Sequence, residues 1–234
     1  MSRDAVLGRI RASLGRDPAD EVRRAKLRVR LETHPRGIVP ARTDRDRKAR
    51  IDLFVEMAEA VDTTVDRVAS ADEVPDAIGG FLARYNLGTD IRMAPDAWLE
   101  AIDWSRRPTL TLTKGASRGD DEVSVTAAFA GVAETGTLVL RSGPAGPTTL
   151  NFLPDNHIVV LRASQVVGPY EDVWDALRAA DLRQAEAASA AQAGVLPRTV
   201  NMITGPSRSG DIEQTIMMGA HGPRRLHIVL VEDV

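Results

Sequence analysis

Apolar residues recur along this chain with two different periods, and the alternation between them outlines an architecture. Near the N-terminus Val6, Ile10 and Leu14 follow Ser2 at four-residue intervals, which predicts a short capped amphipathic helix; a second periodic stretch covers residues 22–31. Residues 34–42 contain Pro35, Gly37 and Pro40 and read as a loop. Ile51, Phe54, Val55, Ala58 and Val61 then mark a helical stripe, with the basic run at 42–50 as the solvated face of its entry. From there the pattern predicts a strand at 63–68 and a helix at 71–85 with Val74, Ile78, Phe81, Leu82 and Tyr85 inward. A strand at 90–93, a short helix at 95–102 and a strand at 108–113 follow. Strand candidates at 123–126, 132–140 and 158–161 come next with little helix between them. Pro169 and Glu171 open a long helix, with Val173, Trp174 and Leu177 on its apolar side and an Ala-rich continuation to about Ala193. A strand at 200–204 and a buried strand at 226–231, which closes the sheet, complete the series. Strands alternating with helices imply an α/β layered sheet, mainly parallel, and the crowding of strands between 109 and 161 makes it mixed.

Composition narrows what such a fold does. The 43% hydrophobic and 27% charged content suits a globular chain with a sizeable core, read as one α/β domain from residue 44 to 234 preceded by a basic helical arm at 1–43. No apolar run approaches the roughly 20 residues of a membrane helix. The first residues mix charge with apolar positions and lack a signal peptide's continuous apolar core, so a cytoplasmic location is expected. With no cysteine, thiolate chemistry, Cys-ligated zinc and Cys-ligated iron–sulfur clusters are excluded on this chain, and redox chemistry needs a partner or a diffusible cofactor. The four histidines show no helical metal-ligand spacing, so no metal site is expected. Net charge is unevenly placed: residues 1–50 hold 15 of the 30 Lys and Arg but 7 of the 33 Asp and Glu, +8 against −11 for the remainder. Such an arm suits an acidic partner or the chain's own acidic body; without interleaved aromatics or a recognition motif, it is not read as a nucleic-acid arm.

Two polar clusters carry the candidate chemistry. Glu134-Thr135-Gly136-Thr137 sets a carboxylate and two hydroxyls around a glycine directly before an apolar run, where backbone can approach a ligand closely. Near the C-terminus, the strand at 200–204 runs into Gly205-Pro206-Ser207-Arg208-Ser209-Gly210-Asp211, followed by an apolar-periodic segment with Ile212, Ile216 and Met217. Strand, small-residue loop and helix start can hold a carboxylate or phosphate with backbone N–H groups and an Arg; the competing reading is turn chemistry with an Asp cap. If both clusters border one sheet with loops on one edge, Thr135, Gly136, Thr137, Ser207, Arg208 and Ser209 line one anion site. Asp211 then caps its helix, and Glu134 either orients Arg208 or acts on a substrate proton. His221 is a candidate acid or base, against a loop histidine bonding backbone. Ser207 has no evident activating base, and nucleotide-binding glycine fingerprints and the nucleophile elbow are missing from the sequence.

Four segments together, AETGTLVL at 133–140, LPDNHIVVL at 153–161, TGPSRSGDIE at 204–213 and GAHGPRRLHIVLVED at 219–233, resemble the LUD-domain proteins, in particular the stand-alone lactate-utilisation protein C (LutC/YkgG) group. The resemblance implies an α/β fold of the sugar-phosphate isomerase and CoA-transferase type. It also implies an accessory role in oxidation of L-lactate to pyruvate beside iron–sulfur partner proteins, with no cofactor on this chain and a small anionic metabolite as its ligand. The alternative is a stand-alone CoA-transferase-like or isomerase-like enzyme acting on a small carboxylate or phosphate ester, with Glu134 as nucleophile, although the residues around Glu134 do not match that motif. A scaffold with no ligand is the third reading.

Overall fold

The uninterrupted apolar runs at 158–161 and 228–231 have a simple cause: both lie in a parallel sheet covered on its two faces. The chain was analysed as a computed structural model, which describes residues 2–15, 20–187, 196–209 and 217–233 and divides into two units, Met1–Ile38 and Val39–Val234.

In the first unit, α1 (Arg3–Ser13) starts at Ser2, whose Oγ accepts from the Ala5 N–H, and α2 (Glu21–Thr33) starts at Asp20, whose carboxylate accepts from the Arg23 N–H. Both ends use short oxygen side chains to satisfy N–H groups that the helix leaves unpaired. His34 stops α2 in the left-handed region at φ 45°. Neither helix buries a residue; the stripe of Val6, Ile10 and Leu14 is exposed.

The second unit opens with α3 (Arg47–Glu59), capped by Asp46 through the Ala49 N–H, then β1 (Thr64–Val68), α4 (Val74–Arg84), β2 (Asp90–Met93), the short α5 (Ala97–Glu100), β3 (Thr111–Lys114) and β4 (Val123–Ala127). There follow β5 (Ala130–Val132), β6 (Thr137–Arg141), β7 (Asn156–Arg162), β8 (Val166–Val167), α6 (Tyr170–Ala187) and β9 (Val200–Ile203). The last elements are β10 (Arg208–Ser209), β11 (Met217–Met218) and β12 (Arg225–Val231).

Six strands form one parallel sheet in the order β1-β12-β7-β4-β2-β3, so β12 lies inside the sheet rather than closing it. Side chains alternate between faces along β7 and β12. Ile158, Val160, Val229 and Val231 meet Ile78, Phe81 and Leu82 of α4, while Val159, Leu161, Ile228 and Leu230 meet Ile51, Phe54 and Ala58 of α3. Burial of each Val, Leu, Ile or Phe among them contributes about 1.5–3 kcal/mol.

The sequence pattern predicts one mixed sheet, but the antiparallel pairs sit in a second, four-stranded sheet, β8-β5-β6-β9. Its inner side joins α3 through Leu138 and Leu140, and its outer side packs Val132 and Val139 against Val173 and Leu177 of α6. The run read as one strand at 132–140 is a hairpin, because Gly136 turns the chain at φ 66°. Met217, read as helical, pairs with Ser209 in a two-stranded ribbon. The helix start at Asp211, with Ile212 and Ile216, and the Ala-rich continuation at 188–193 lie outside the described residues.

Candidate functional site

Antiparallel pairing brings the two polar clusters together. Leu138 lies opposite Ile203, so the start of β6 adjoins the end of β9, and Thr137 meets Thr204. The juxtaposition therefore arises in the smaller sheet and not from the carboxyl ends of parallel strands. Thr137, on the face toward α6, is fully buried. Its Oγ1 lies 2.6 Å from Thr135 Oγ1, 2.8 Å from the Tyr170 hydroxyl and 2.6 Å from Thr204 Oγ1, and Thr135 also bonds Tyr170 at 2.8 Å. These four hydroxyls satisfy one another.

Gly136 beside them is held by packing. A Cβ there would stand 2.2 Å from the Ala58 amide nitrogen, so the last turn of α3 fills the space that a side chain or ligand would take. Gly205, at φ 77°, packs in the same way against the Val61 carbonyl, where a Cβ would approach to 2.6 Å. The Glu134 backbone is fixed at both ends: its N–H donates to the Gly168 carbonyl at 3.1 Å and its carbonyl accepts from Arg42 Nη2 at 2.7 Å.

Past Thr204 the chain borders a cleft of about 280 Å³ lined by Ser207, Arg208, His221, His157 and the apolar side chains of Phe152 and Met202. Thr204 belongs to both features, bonding Thr137 and lining the cleft, whereas Glu134, Thr135, Gly136 and Thr137 do not line it. The Ser207 N–H donates to the Pro223 carbonyl at 2.8 Å, and Ser207 Oγ accepts from the His221 N–H at 3.3 Å. The two loops that flank the β10–β11 ribbon are thus stitched into one wall. Arg208 pairs with Asp62, at the turn after α3, rather than with Glu134. A guanidinium carries five N–H donors, and Asp62 engages one nitrogen, so donors remain for an anion. Ser209 contributes backbone to the ribbon with Met217, and Asp211 lies outside the described residues.

Sequence reasoning missed His157, Thr204, Tyr170 and Asp62. His157 opens the apolar face of β7, fully buried, with Nε2 2.8 Å from Thr126 Oγ1; its Nδ1 has no hydrogen-bond partner among the described residues. Burial alone pushes its pKa down to about 3, so the ring is neutral at physiological pH. A histidine inside an apolar strand was the available signal. The cleft thus joins a cation, a neutral imidazole with one uncommitted nitrogen, hydroxyls and an apolar rim. That donor set suits a small organic anion.

The LUD domain family model matches residues 51–231. The chain is 30% identical to lactate utilization protein C of Exiguobacterium sp. over 194 residues, 79% of this chain and 78% of that protein. It is 27% identical over 242 residues to lactate utilization protein C of Anoxybacillus flavithermus, covering 98% and 99% of the two. A crystal structure of a DUF162 family protein from Deinococcus radiodurans superposes with a TM-score of 0.55 at 23% identity, over 80% of this chain and 99% of that one, which shows a shared fold. The four motifs quoted from the sequence lie within or at the edge of the matched region, and the chain belongs to the LUD-domain family, in its lactate utilization protein C group.

Proposed function

We propose that this chain is a non-redox subunit of a lactate-utilisation system and binds a small carboxylate, L-lactate or its oxidation product pyruvate, in the cleft lined by Ser207, Arg208 and His221. The observation that carries the reading is the match, across nearly the whole length, to a relative named for lactate utilisation. The cleft gives it a chemistry: Arg208 exchanges part of its pairing with Asp62 for the carboxylate, and the Ser207 hydroxyl meets a second oxygen. The resemblance to the lactate utilization protein C group implies partner proteins that carry iron–sulfur clusters and take the electrons from lactate, a division of labour that suits a chain without cysteine. Glu134 lies outside the cleft lining, which gives the CoA-transferase-like alternative no support.

Calorimetric titration with L-lactate and with pyruvate tests the binding step. One of them should bind, and Arg208→Gln should weaken it by about 1.5–3 kcal/mol, the range for a charged hydrogen bond. Absence of binding, or binding untouched by Arg208→Gln, removes the assigned role from this cleft. Affinity purification from cells grown on lactate should bring down partners with iron–sulfur absorbance; turnover of lactate by this chain alone with an artificial acceptor would refute the non-redox assignment.

A further inference from the structure

A second cleft, of about 370 Å³, opens at the other end of the main sheet, where Ala127 ends β4 and Arg162 ends the neighbouring β7. Ligands of open parallel α/β sheets bind outside the carboxyl ends of the strands, and here the small side chains of Ala127 and Ala128 leave room for one. Two guanidinium groups line the opening. Arg162 lies over the Trp98 ring at 5.3 Å and Arg141 over the Phe129 ring at 4.2 Å. Stacking on Trp98 fixes the Arg162 guanidinium through its face and directs recognition to the N–H groups on its edge, the arrangement that binds a planar or tetrahedral oxyanion.

Arg162 carries the argument. Its Nε is buried with no hydrogen-bond partner among the described residues, and no carboxylate there forms an ion pair with it. A buried, unsatisfied donor on a permanent cation is destabilising and calls for a cause. Neighbours do not supply one. Asp96, the acidic residue in the lining, directs Oδ1 to the Trp98 and Leu99 N–H groups as the cap of α5, and Gln165 spends its amide on the carbonyls of Ala128 and Phe129 and on the Arg162 N–H. The far wall is held rigid: a tight turn bridges Gly143 to Gly146, and Ser142 exchanges hydrogen bonds with the Thr199 backbone.

We infer that this cleft is a second anion site, separate from the one at Arg208, and that it takes a small organic molecule whose phosphate or carboxylate group sits on Arg162 with its body against Trp98 and Phe129. The site does not depend on the function proposed above, since the two clefts share no lining residue.

Fluorescence titration of the full chain reads it directly, because an anion on Arg162 changes the surroundings of Trp98. Inorganic phosphate and pyrophosphate form one arm; succinate and citrate form the other. One arm should change the emission with a dissociation constant of about 1 mM or tighter, and which arm responds identifies the oxyanion. Trp98→Phe should abolish the signal. Arg162→Gln should weaken binding about tenfold to a hundredfold, as loss of a charged hydrogen bond implies, while Arg162→Lys, which keeps the charge and the packing stem but not the fork, should retain part of it. Arg208→Gln should leave it unchanged. Silence in both arms, equal binding by wild type and Arg162→Gln, or loss of the signal in Arg208→Gln overturns the proposal. A thermal melt of Arg162→Gln alongside, together with the wild-type titration, keeps the result independent of any folding defect.

Discussion

Replacing Thr137 by Val separates a structural hydroxyl cluster from a ligand-binding one. The side chain keeps its shape but loses an oxygen that sits fully buried with three oxygen neighbours at 2.6–2.8 Å. A hydroxyl has one donor and two acceptor positions, so these neighbours saturate it. After the change, Thr135 and Tyr170 keep their mutual bond, and Thr204, which is exposed, turns to water. Three net hydrogen bonds at about 0.5–1.5 kcal/mol each are therefore partly recovered, but a methyl group must also stand where an oxygen made 2.6 Å contacts, so the neighbours must move apart. We expect destabilisation of about 2–3 kcal/mol, seen by urea unfolding, and a lower Tm by roughly 2–4 °C per kcal/mol for a chain of this size. Thr204→Val, which removes one exposed partner, should fall within about 1 kcal/mol, and the double variant should show coupling of about 0.5–1.5 kcal/mol. The reasoning fails if Thr137→Val unfolds at the wild-type urea concentration, or if Thr204→Val is equally destabilising. Wild-type stability combined with lost lactate or pyruvate binding would instead make the cluster a ligand-binding surface.

The glycines should be as sensitive: Gly136→Ala combines a left-handed φ with a Cβ 2.2 Å from backbone and should destabilise the chain by more than about 3 kcal/mol in the same assay, exceeding Gly80→Ala, whose Cβ meets nothing within 4 Å. Stability should fall in acid. Burial lowers His157 to about 3 and His227 to about 4, the latter despite Asp66 3.6 Å from its Nε2, against an ordinary value of 6.5. The unfolded chain then binds protons that the folded one refuses, so each histidine contributes a slope of up to about 1.4 kcal/mol per pH unit as pH drops below about 6.5, levelling off near its folded value. Urea unfolding across that range should show the fall, and His157→Gln should flatten it; an equal slope in the variant would exclude His157 as its source. Asp62→Asn should change stability by less than about 1 kcal/mol, because its pair with Arg208 is exposed, yet tighten carboxylate binding in calorimetry by freeing the guanidinium.

Helices and strands were largely legible because their apolar runs are long and bounded by Pro, Gly and Asn, but their grouping into sheets was not. β6 is buried by α3 on one face and by α6 on the other, so TLVL shows the same unbroken apolar run as a central parallel strand such as β7. Only partner choice distinguishes them, and pairing with β9, far along the chain, leaves no local mark. The glycines posed a related difficulty. A glycine reports that something approaches the backbone closely, not what approaches, and at Gly136 and Gly205 the approaching group is the end of α3. A cation is more specific. An Arg that lines a cleft must be solvated, paired or occupied, and its protein partners are countable in a structure. At Arg208 the count returns Asp62; at Arg162 it returns an indole ring and a buried N–H with no acceptor among the described residues. Arg162, which the glycine-rich motifs did not flag, is thus a cation with no acceptor for its Nε among the described residues, whereas Arg208 is held by Asp62 and keeps only its remaining donors for a ligand.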